Sequence, residues 1–176
     1  MEVRSRKGTV VVDTDEHPIR GADLASMAQL PPAFLRDGVV TAANASGIND
    51  AAAAAVVMSK EKADALGIAP LAKMLHICGE GVEPEVMGLG PAVAIPKCLK
   101  AVGLAFEDVD YWEVNEAFAA QFIGVERMLQ EEHGMQMDRA RTNINGSGIS
   151  LGHPVGCTAL RIVVSLICLL YTSPSP

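Results

Sequence analysis

Apolar stretches alternate with polar, glycine-containing and proline-containing stretches along the 176 residues of the chain. The β-branched run at 8–13 predicts a strand. Leucine and methionine recur at helical spacing in 22–30, which predicts a short helix before the proline pair that follows. The uniformly apolar segment 51–58 fits either a buried strand or a buried helix, and 70–78 predicts a strand.

Four further helices and two further strands follow from the pattern. Ser59 is a predicted N-cap for a helix that Gly67 closes. Apolar residues recur at helical spacing within 116–132, which predicts an amphipathic helix. The remaining elements are predicted helices at 91–102 and 154–169 and predicted strands at 108–113 and 142–145. Strands alternating with helices predict an α/β fold in which helices cover a sheet.

Composition and charge exclude several classes of protein. The residues are 49% hydrophobic and 20% charged, which is typical of a globular chain. A formal net charge of -7, with no cluster of lysine and arginine, argues against a nucleic-acid partner. No apolar signal-peptide region follows the first seven residues, and the apolar run 162–170 is too short to cross a bilayer. We therefore expect no membrane partner.

The cysteines are widely spaced and form no Cys-x-x-Cys pair, which favours free thiols in a reducing compartment. They are Cys78, Cys98, Cys157 and Cys168. His76 and Cys78 alternate as on one face of a strand, but no nearby residue completes a tetrahedral metal site. We therefore expect no metal and no permanently bound cofactor.

Two segments carry candidate chemistry, residues 114–119 (Val-Asn-Glu-Ala-Phe-Ala) and 145–154 (Asn-Gly-Ser-Gly-Ile-Ser-Leu-Gly-His-Pro). Both lie where a predicted strand gives way to a predicted helix, and open α/β sheets bind ligands at such places. His153 precedes a proline and a predicted helix N-terminus. An imidazole there can donate a hydrogen bond to an oxyanion or accept a proton.

Simpler interpretations of these residues stay open. Asn115 on its own is typical of a helix cap, and His153 on its own fits a structural loop residue equally well. The glycines of 146–152 resemble a dinucleotide-binding loop only weakly, because the third glycine, Gly152, is misplaced and no acidic partner strand follows. No Gly-x-Ser-x-Gly nucleophile motif is present.

Four motifs together resemble the thiolase family, in the family's order and spacing, over about residues 8–167. Two of them are the segments named above, the first extended to residue 121 and the second to residue 156. The other two are residues 44–50 (Asn-Ala-Ser-Gly-Ile-Asn-Asp) and 86–91 (Val-Met-Gly-Leu-Gly-Pro). The resemblance implies an α/β, thiolase-like layered fold with helices packed on a mixed sheet and an incomplete C-terminal domain. It implies three regions: the end of the N-terminal domain with CoA-contacting segments at 1–50, the C-terminal domain without its last strands at 51–167, and a tail foreign to the family at 168–176.

The resemblance also implies thiolytic cleavage of 3-ketoacyl-CoA, or the reverse condensation of acyl-CoA, with coenzyme A as substrate. His153 and Asn115 match the histidine and the water-binding asparagine that stabilise the thioester oxyanion in thiolases. Positions that match CoA or acyl contacts are Arg20, Ser26, Phe34, Ala42, Ser46, Met87, Ala117 and Phe118. The full-length parent is expected to be a homodimer or homotetramer in the cytoplasm or a mitochondrion.

The chain departs from the family in its cysteines. The family uses a nucleophilic cysteine and a second, proton-transferring cysteine, and none of the four cysteines here lies in a matching context. We therefore expect the 176-residue chain to be a fragment that is inactive alone. A non-catalytic protein that binds CoA or acyl-CoA is the alternative. A decarboxylating condensing enzyme fits less well, because such enzymes generally place their histidine and asparagine differently.

Overall fold

The computed structural model describes residues 1–172. They divide into two compact units, Met1–Leu30 and the residues from Pro31 onward. In the first unit, β1 (Glu2–Ser5) and β2 (Gly8–Val11) form an antiparallel hairpin. One helical turn, α1 (Leu24–Met27), follows. The predicted strand at 8–13 and the predicted short helix at 22–30 are therefore confirmed, although both are shorter than expected.

The second unit consists mainly of helices joined by long irregular segments. Its elements are α2 (Lys60–Ala65), a 3₁₀ turn (Pro84–Leu89) that leads into α3 (Gly90–Val102), a second 3₁₀ turn (Phe106–Asp108), α4 (Ala119–His133), the single turn α5 (Gly148–Leu151) and α6 (Thr158–Thr172). The four helices predicted from the pattern here are confirmed. α4 and α6 begin later than expected, which leaves Asn115 and His153 themselves outside the helices.

Local chemistry explains where these helices begin and end. The Ser59 hydroxyl accepts a hydrogen bond from the Lys62 N–H at 3.2 Å, as a helix N-cap does. Gly103 and Gly134 follow α3 and α4 with φ of 70° and 66°, a left-handed conformation that glycine adopts without a steric penalty. The sequence signals for these boundaries were therefore sufficient.

The hydrophobic core lies between α3 and α4 and the segments that flank them. Its members are Ala92, Leu99, Phe106, Val114, Phe122, Val125, Leu129 and Met137. Phe106 stacks on Trp112 with ring centroids 4.7 Å apart. Val114, directly before Asn115, is part of this core, so the candidate site is anchored on the most tightly packed part of the unit.

The strand predicted at 70–78 is wrong, and the apolar segment 51–58 forms neither the buried strand nor the buried helix that its composition allowed. Residues 51–58 and 70–78 have no regular secondary structure. Val56, Val57 and Ile77 are largely exposed. A strand is stable only when a neighbouring strand satisfies its backbone groups, and no such neighbour pairs with either segment among the residues described. Apolar composition alone therefore predicted more β-strand than the structure contains in these two segments.

The predicted strands at 108–113 and 142–145 are also not formed as strands, although they do meet. Trp112 and Thr142 form a single parallel bridge. Within residues 1–172, the regular sheet is the β1–β2 hairpin, so the architecture is mixed helix and sheet. Over the same residues no helix combines the length and the hydrophobicity needed to cross a membrane.

Candidate active site

Three motifs that are distant in the sequence meet through backbone hydrogen bonds. In the loop at 44–50, Asn44 O accepts a hydrogen bond from Ala119 N–H at 2.9 Å. In the same loop, Ser46 N–H donates a hydrogen bond to Ala117 O at 3.0 Å. On its other side, His153 N–H donates to Gly47 O at 2.8 Å. The first loop thus holds the Asn115 motif and the His153 motif against each other.

The fourth motif, at 86–91, is attached through Gln121. Its Nε2 donates to Gly88 O at 2.9 Å, and its Oε1 accepts from Ala117 N–H at 3.2 Å. A Cβ at position 88 would lie 2.6 Å from Gln121 Cγ, so glycine permits this approach. The sequence reasoning did not assign Gln121 a role. Its only signal was its place four residues after Ala117, near the start of a predicted helix.

Asn115 and His153 face each other, with Asn115 Nδ2 lying 3.4 Å from His153 Nε2. The interpretation of Asn115 as a helix cap is wrong, because Phe118 is the N-cap residue of α4 and has an extended backbone. Asn115 Oδ1 is buried and accepts no hydrogen bond from the described protein atoms. An oxygen in that position is available to a small polar ligand.

Thr158, the first residue of α6, fixes the protonation of the His153 ring. The Thr158 hydroxyl donates its one hydrogen to Pro154 O at 3.0 Å and lies 2.7 Å from His153 Nδ1. The Asn115 Nδ2 amide can only donate, so it pairs with an unprotonated Nε2, and Nδ1 then carries the proton and donates it to the Thr158 oxygen. In the neutral ring Nε2 is then the unprotonated nitrogen, and it points toward Asn115. The sequence reasoning missed this residue, which carries no chemistry of its own.

Glycine allows the 145–154 loop to approach Asn115. A Cβ at Gly148 would lie 2.6 Å from Glu116 O and 2.8 Å from Asn115 Oδ1. Gly152 has a φ of +86°, and a Cβ there would lie 2.2 Å from Asn49 Oδ1. Any larger residue at either position would push the facing asparagine away, so the glycines set the width of the site.

A pair of charged side chains lies beside the site, and their polar atoms are buried without hydrogen bonds in the described structure. They belong to Glu113 and Arg161. Burial raises the pKa of the Glu113 carboxyl, the Arg161 guanidinium opposes that rise, and the nearby Glu116 carboxylate adds to it. The Glu113 carboxyl therefore holds its proton more tightly than an exposed glutamate does.

The structure brings together four of the predicted CoA-contacting residues of the second unit. Phe34 meets Phe118 edge to face, with ring centroids 5.9 Å apart, and Ser46 bonds to Ala117 as described above. Phe34 is exposed, so this aromatic pair borders solvent. Ala42 and Met87 are exposed as well. Contact of these residues with CoA stays a prediction.

Arg20 and Ser26 belong to the first unit. Arg20 is exposed in a turn. Ser26 forms a capping box with Asp23: its N–H donates to Asp23 Oδ1 at 2.7 Å and its hydroxyl oxygen accepts from Asp23 N–H at 3.2 Å. Hydrogen bonds from Ser26 lower the pKa of the Asp23 carboxyl. The capping role was not anticipated, and contact of either residue with CoA stays a prediction.

All four cysteines are free thiols. Burial and the neighbouring Cys98 raise the pKa of the Cys78 thiol, which lowers its thiolate fraction and its reactivity. Cys157 lies in the turn between His153 and α6. Among residues 1–172, no three histidine, cysteine, aspartate or glutamate side chains are grouped as a metal site would require.

Family models match nearly the whole chain. The model of the thiolase N-terminal domain matches residues 1–61, and the model of the thiolase C-terminal domain matches residues 68–174. The C-terminal match overlaps part of the segment 168–176. The domain boundaries expected from the sequence stay predictions.

Curated and solved relatives agree with these matches. An acetyl-CoA acetyltransferase from Syntrophomonas wolfei is 52% identical over 94% of this chain, which covers 40% of that protein. The solved structure of an acetyl-CoA acetyltransferase from the same organism is 64% identical with a TM-score of 0.89, covering 97% of this chain and 43% of that one. Human mitochondrial 3-ketoacyl-CoA thiolase in complex with CoA is 38% identical with a TM-score of 0.74, covering 97% and 41%.

The chain therefore spans about 40% of the length of the curated relatives that it matches. The predicted thiolase-like fold class is confirmed by the solved structures, which superpose over 97% of the chain. The two family models together cover both the Asn115 motif and the His153 motif. The chain belongs to the thiolase family.

Proposed function

We propose that this chain supplies the oxyanion-binding part of a thiolase-type acyltransferase. The reaction is the thiolytic cleavage of a 3-ketoacyl-CoA, or the reverse condensation of two acyl-CoA molecules. The observation that carries the proposal is the Asn115–His153 pair, with Nδ2 and Nε2 3.4 Å apart and the imidazole tautomer fixed by Thr158. A protein that only binds CoA has no need for a fixed tautomer.

His153 serves first as a base in this proposal. Its Nε2 carries the lone pair and can accept the proton of a cysteine thiol, which leaves a thiolate to attack a carbonyl carbon. The ring is then an imidazolium that donates from both nitrogens. Its Nδ1–H remains with Thr158, and its Nε2–H becomes a donor for the oxygen that gains negative charge.

Asn115 supplies the second donor indirectly. Its buried Oδ1 can accept one hydrogen of a water molecule, and that water can donate its other hydrogen to the same oxyanion. Donors placed in advance are worth more than solvent because they need no reorganisation during the reaction. The absence of a side chain at Gly148 leaves the carboxamide its place, because a Cβ there would lie 2.8 Å from Asn115 Oδ1.

We also propose that CoA and acyl-CoA bind along the residues matched from the family. Phe34 and Phe118 form an exposed aromatic edge, while Ser46 and Ala117 lie on the joined backbone beside Asn115. Arg20 is a cation and suits a phosphate of the nucleotide end. The edge-to-face pair suits the apolar arm of CoA, because aromatic rings provide apolar area close to a polar backbone.

A hybrid enzyme tests the proposal. In the Syntrophomonas wolfei enzyme of known structure, the matching segment is replaced by this chain. We expect the hybrid to cleave a short 3-ketoacyl-CoA with CoA, and we expect His153→Ala to lower kcat by about 100-fold or more, since removing one oxyanion donor has that effect.

The matched control is His133→Ala, which removes an exposed imidazole at the end of α4. We expect this variant to keep the activity of the unsubstituted hybrid. A hybrid that binds CoA but shows no thiolysis, or a His153→Ala variant as active as His133→Ala, would overturn the proposal. The first result would favour a binding protein over an enzyme.

A further inference from the structure

The segment that carries Asn115 lacks the support of a regular strand. Before Asn115, its last backbone pairing is the bridge at Trp112, where Trp112 N–H donates to Arg141 O and Asn143 N–H donates to Trp112 O, both at 2.9 Å. Asn143 then turns away with a φ of 52°, the only positive φ of a non-glycine residue within residues 1–172. Backbone pairing is therefore interrupted between Trp112 and Ala117, and Asn115 lies within that gap.

The side chain of Asn143 takes the place of the missing backbone partner. Its Oδ1 accepts from Val114 N–H at 2.8 Å, and its Nδ2 donates to Val114 O at 2.9 Å. The second Nδ2 hydrogen goes to Glu116 Oε1 at 2.8 Å. The residue is 8% exposed, so these bonds are shielded from water and costly to lose.

Ser147 holds the same segment from the other end of the loop. Its hydroxyl donates to Val114 O at 2.9 Å and accepts from Glu116 N–H at 3.3 Å, and the residue is fully buried. Together, Asn143 and Ser147 bind the residues on both sides of Asn115. Ser147 also precedes α5, which leads directly to His153.

We propose that Asn143 is a positioning residue that sets Asn115 against His153. The Asn143 side chain bonds to the backbone of Val114 in the place that a backbone partner in a continued strand would occupy. The backbone at Asn143 is then free to turn toward the 145–154 loop. The catalytic consequence of this positioning rests on the function proposed above, whereas its effect on the geometry does not. Asn143 acts through Asn115 and has no contact with the reacting atoms.

The first test uses NMR on the 176-residue chain and requires no catalysis. Asn143→Gly keeps the positive φ and removes all three side-chain bonds. Asn145→Gly is the matched control, because Asn145 is exposed on the same loop. We expect the nuclear Overhauser effect between the Asn115 side-chain amide and His153 Hε1 to be lost in Asn143→Gly and kept in Asn145→Gly. Its persistence in both variants would overturn the proposal.

A second variant covers the case in which Asn143→Gly does not fold. Asn143→Asp keeps the size and the acceptor for Val114 N–H but loses both donors, and it places a charge beside Glu116. We expect the same Overhauser effect to fall by at least half in this variant. An undiminished effect in folded Asn143→Asp would contradict the proposal.

Kinetics of the hybrid enzyme separate positioning from general damage. We expect Asn143→Gly to lower kcat about 10-fold or more while KM for CoA changes less than threefold, because only the oxyanion geometry is disturbed. Equal kcat in Asn143→Gly and Asn145→Gly would overturn the proposal. An inactive unsubstituted hybrid would refute the proposed function instead, and the Overhauser effect would then decide the role of Asn143.

Discussion

A single hydroxyl decides what the His153 imidazole can do. With the Thr158 hydroxyl donating to Pro154 O and Asn115 Nδ2 facing Nε2, the Thr158 oxygen accepts from His153 Nδ1–H, and this leaves Nε2 as the base. The hydroxyl orients the imidazole as a neutral hydrogen-bond acceptor, without placing a charge beside it. The same bond orients the ring toward Asn115, so protonation state and geometry are set together.

Thr158→Val should separate this effect from packing. The substitution keeps the shape but removes the acceptor, so the imidazole can rotate and populate the other tautomer. We expect kcat of the hybrid enzyme to fall about 10- to 100-fold, the range seen when a residue that orients a functional histidine is lost. Thr158→Ser, which keeps the hydroxyl, should retain most of the activity. A kcat for Thr158→Val equal to that of Thr158→Ser would contradict the assignment.

Gly148→Ala tests the close approach of the loop to Asn115. The added Cβ would overlap Glu116 O and Asn115 Oδ1, so the carboxamide must move. We expect kcat to fall about 10-fold or more, since misplacing a catalytic group by about 1 Å has a cost of that size. Gly81→Ala is the matched control, because a Cβ there meets nothing within 4 Å. Equal kcat values would show that Asn115 does not need its present position.

Sequence reasoning found Asn115 and His153 because both lie in recognisable motifs. It missed Thr158, Gln121 and Asn143 for a physical reason. Their roles depend on which atom a side chain faces after the chain has folded, and no residue pattern records that. Asn143 is the clearest case, because its function comes from a left-handed backbone at a point where a strand was expected.

At the scale of elements, helices were more predictable than strands. A helix satisfies its own backbone groups, so caps such as Ser59 and Gly134 identify it locally. A strand depends on a partner elsewhere in the chain, and the apolar composition of 51–58 carries no information about that partner. The structured part of the second unit is consequently the α3–α4 core and the loops attached to it.

Leu129→Ala tests whether α4 anchors that core. Leu129 is fully buried against α3 and its neighbours. Removing its side chain should lower the free energy of unfolding by about 2–5 kcal/mol, through lost burial and a residual cavity. Ile123→Ala is the control, because Ile123 on the same helix is 40% exposed and should lose about 1 kcal/mol or less. Urea denaturation of the chain measures both, and equal losses would contradict this description of the core.

At the scale of the whole molecule, the buried Glu113 carboxyl should make stability depend on pH. Its pKa is raised in the folded state, so the folded chain binds the proton more tightly than the unfolded chain does. The free energy of unfolding should therefore decrease as pH rises through and above the ordinary titration range of a glutamate carboxyl. Glu113→Gln should reduce this slope.

The slope is the appropriate measure, although Glu113→Gln also leaves Arg161 without an attractive neighbour. That attraction exists only while Glu113 is ionised, so its loss is part of the slope, whereas a change in packing shifts stability equally at every pH. Urea denaturation at several pH values gives the slope directly. The same slope in the substituted and unsubstituted chains would show that Glu113 titrates as an ordinary exposed carboxyl.

The four motifs of this chain form one site because the loop at 44–50 is hydrogen-bonded to both the Asn115 motif and the His153 motif. Gln121 of α4 joins the motif at 86–91 to the same backbone. The relatives that contain this region are acetyl-CoA acetyltransferases and thiolases, and their shared fold explains why the motifs keep their order. The proposed function depends on whether Asn115 and His153 act as one oxyanion site.

A double-mutant cycle in the hybrid enzyme tests this claim most directly. Asn115→Ala and His153→Ala are each expected to lower kcat by about 100-fold or more, and the double variant should be less than about 10-fold slower than the slower single variant, because groups that act as a unit are strongly non-additive. Losses that multiply fully in the double variant would show two independent roles. That result, or an unchanged kcat in either single variant, would contradict the account.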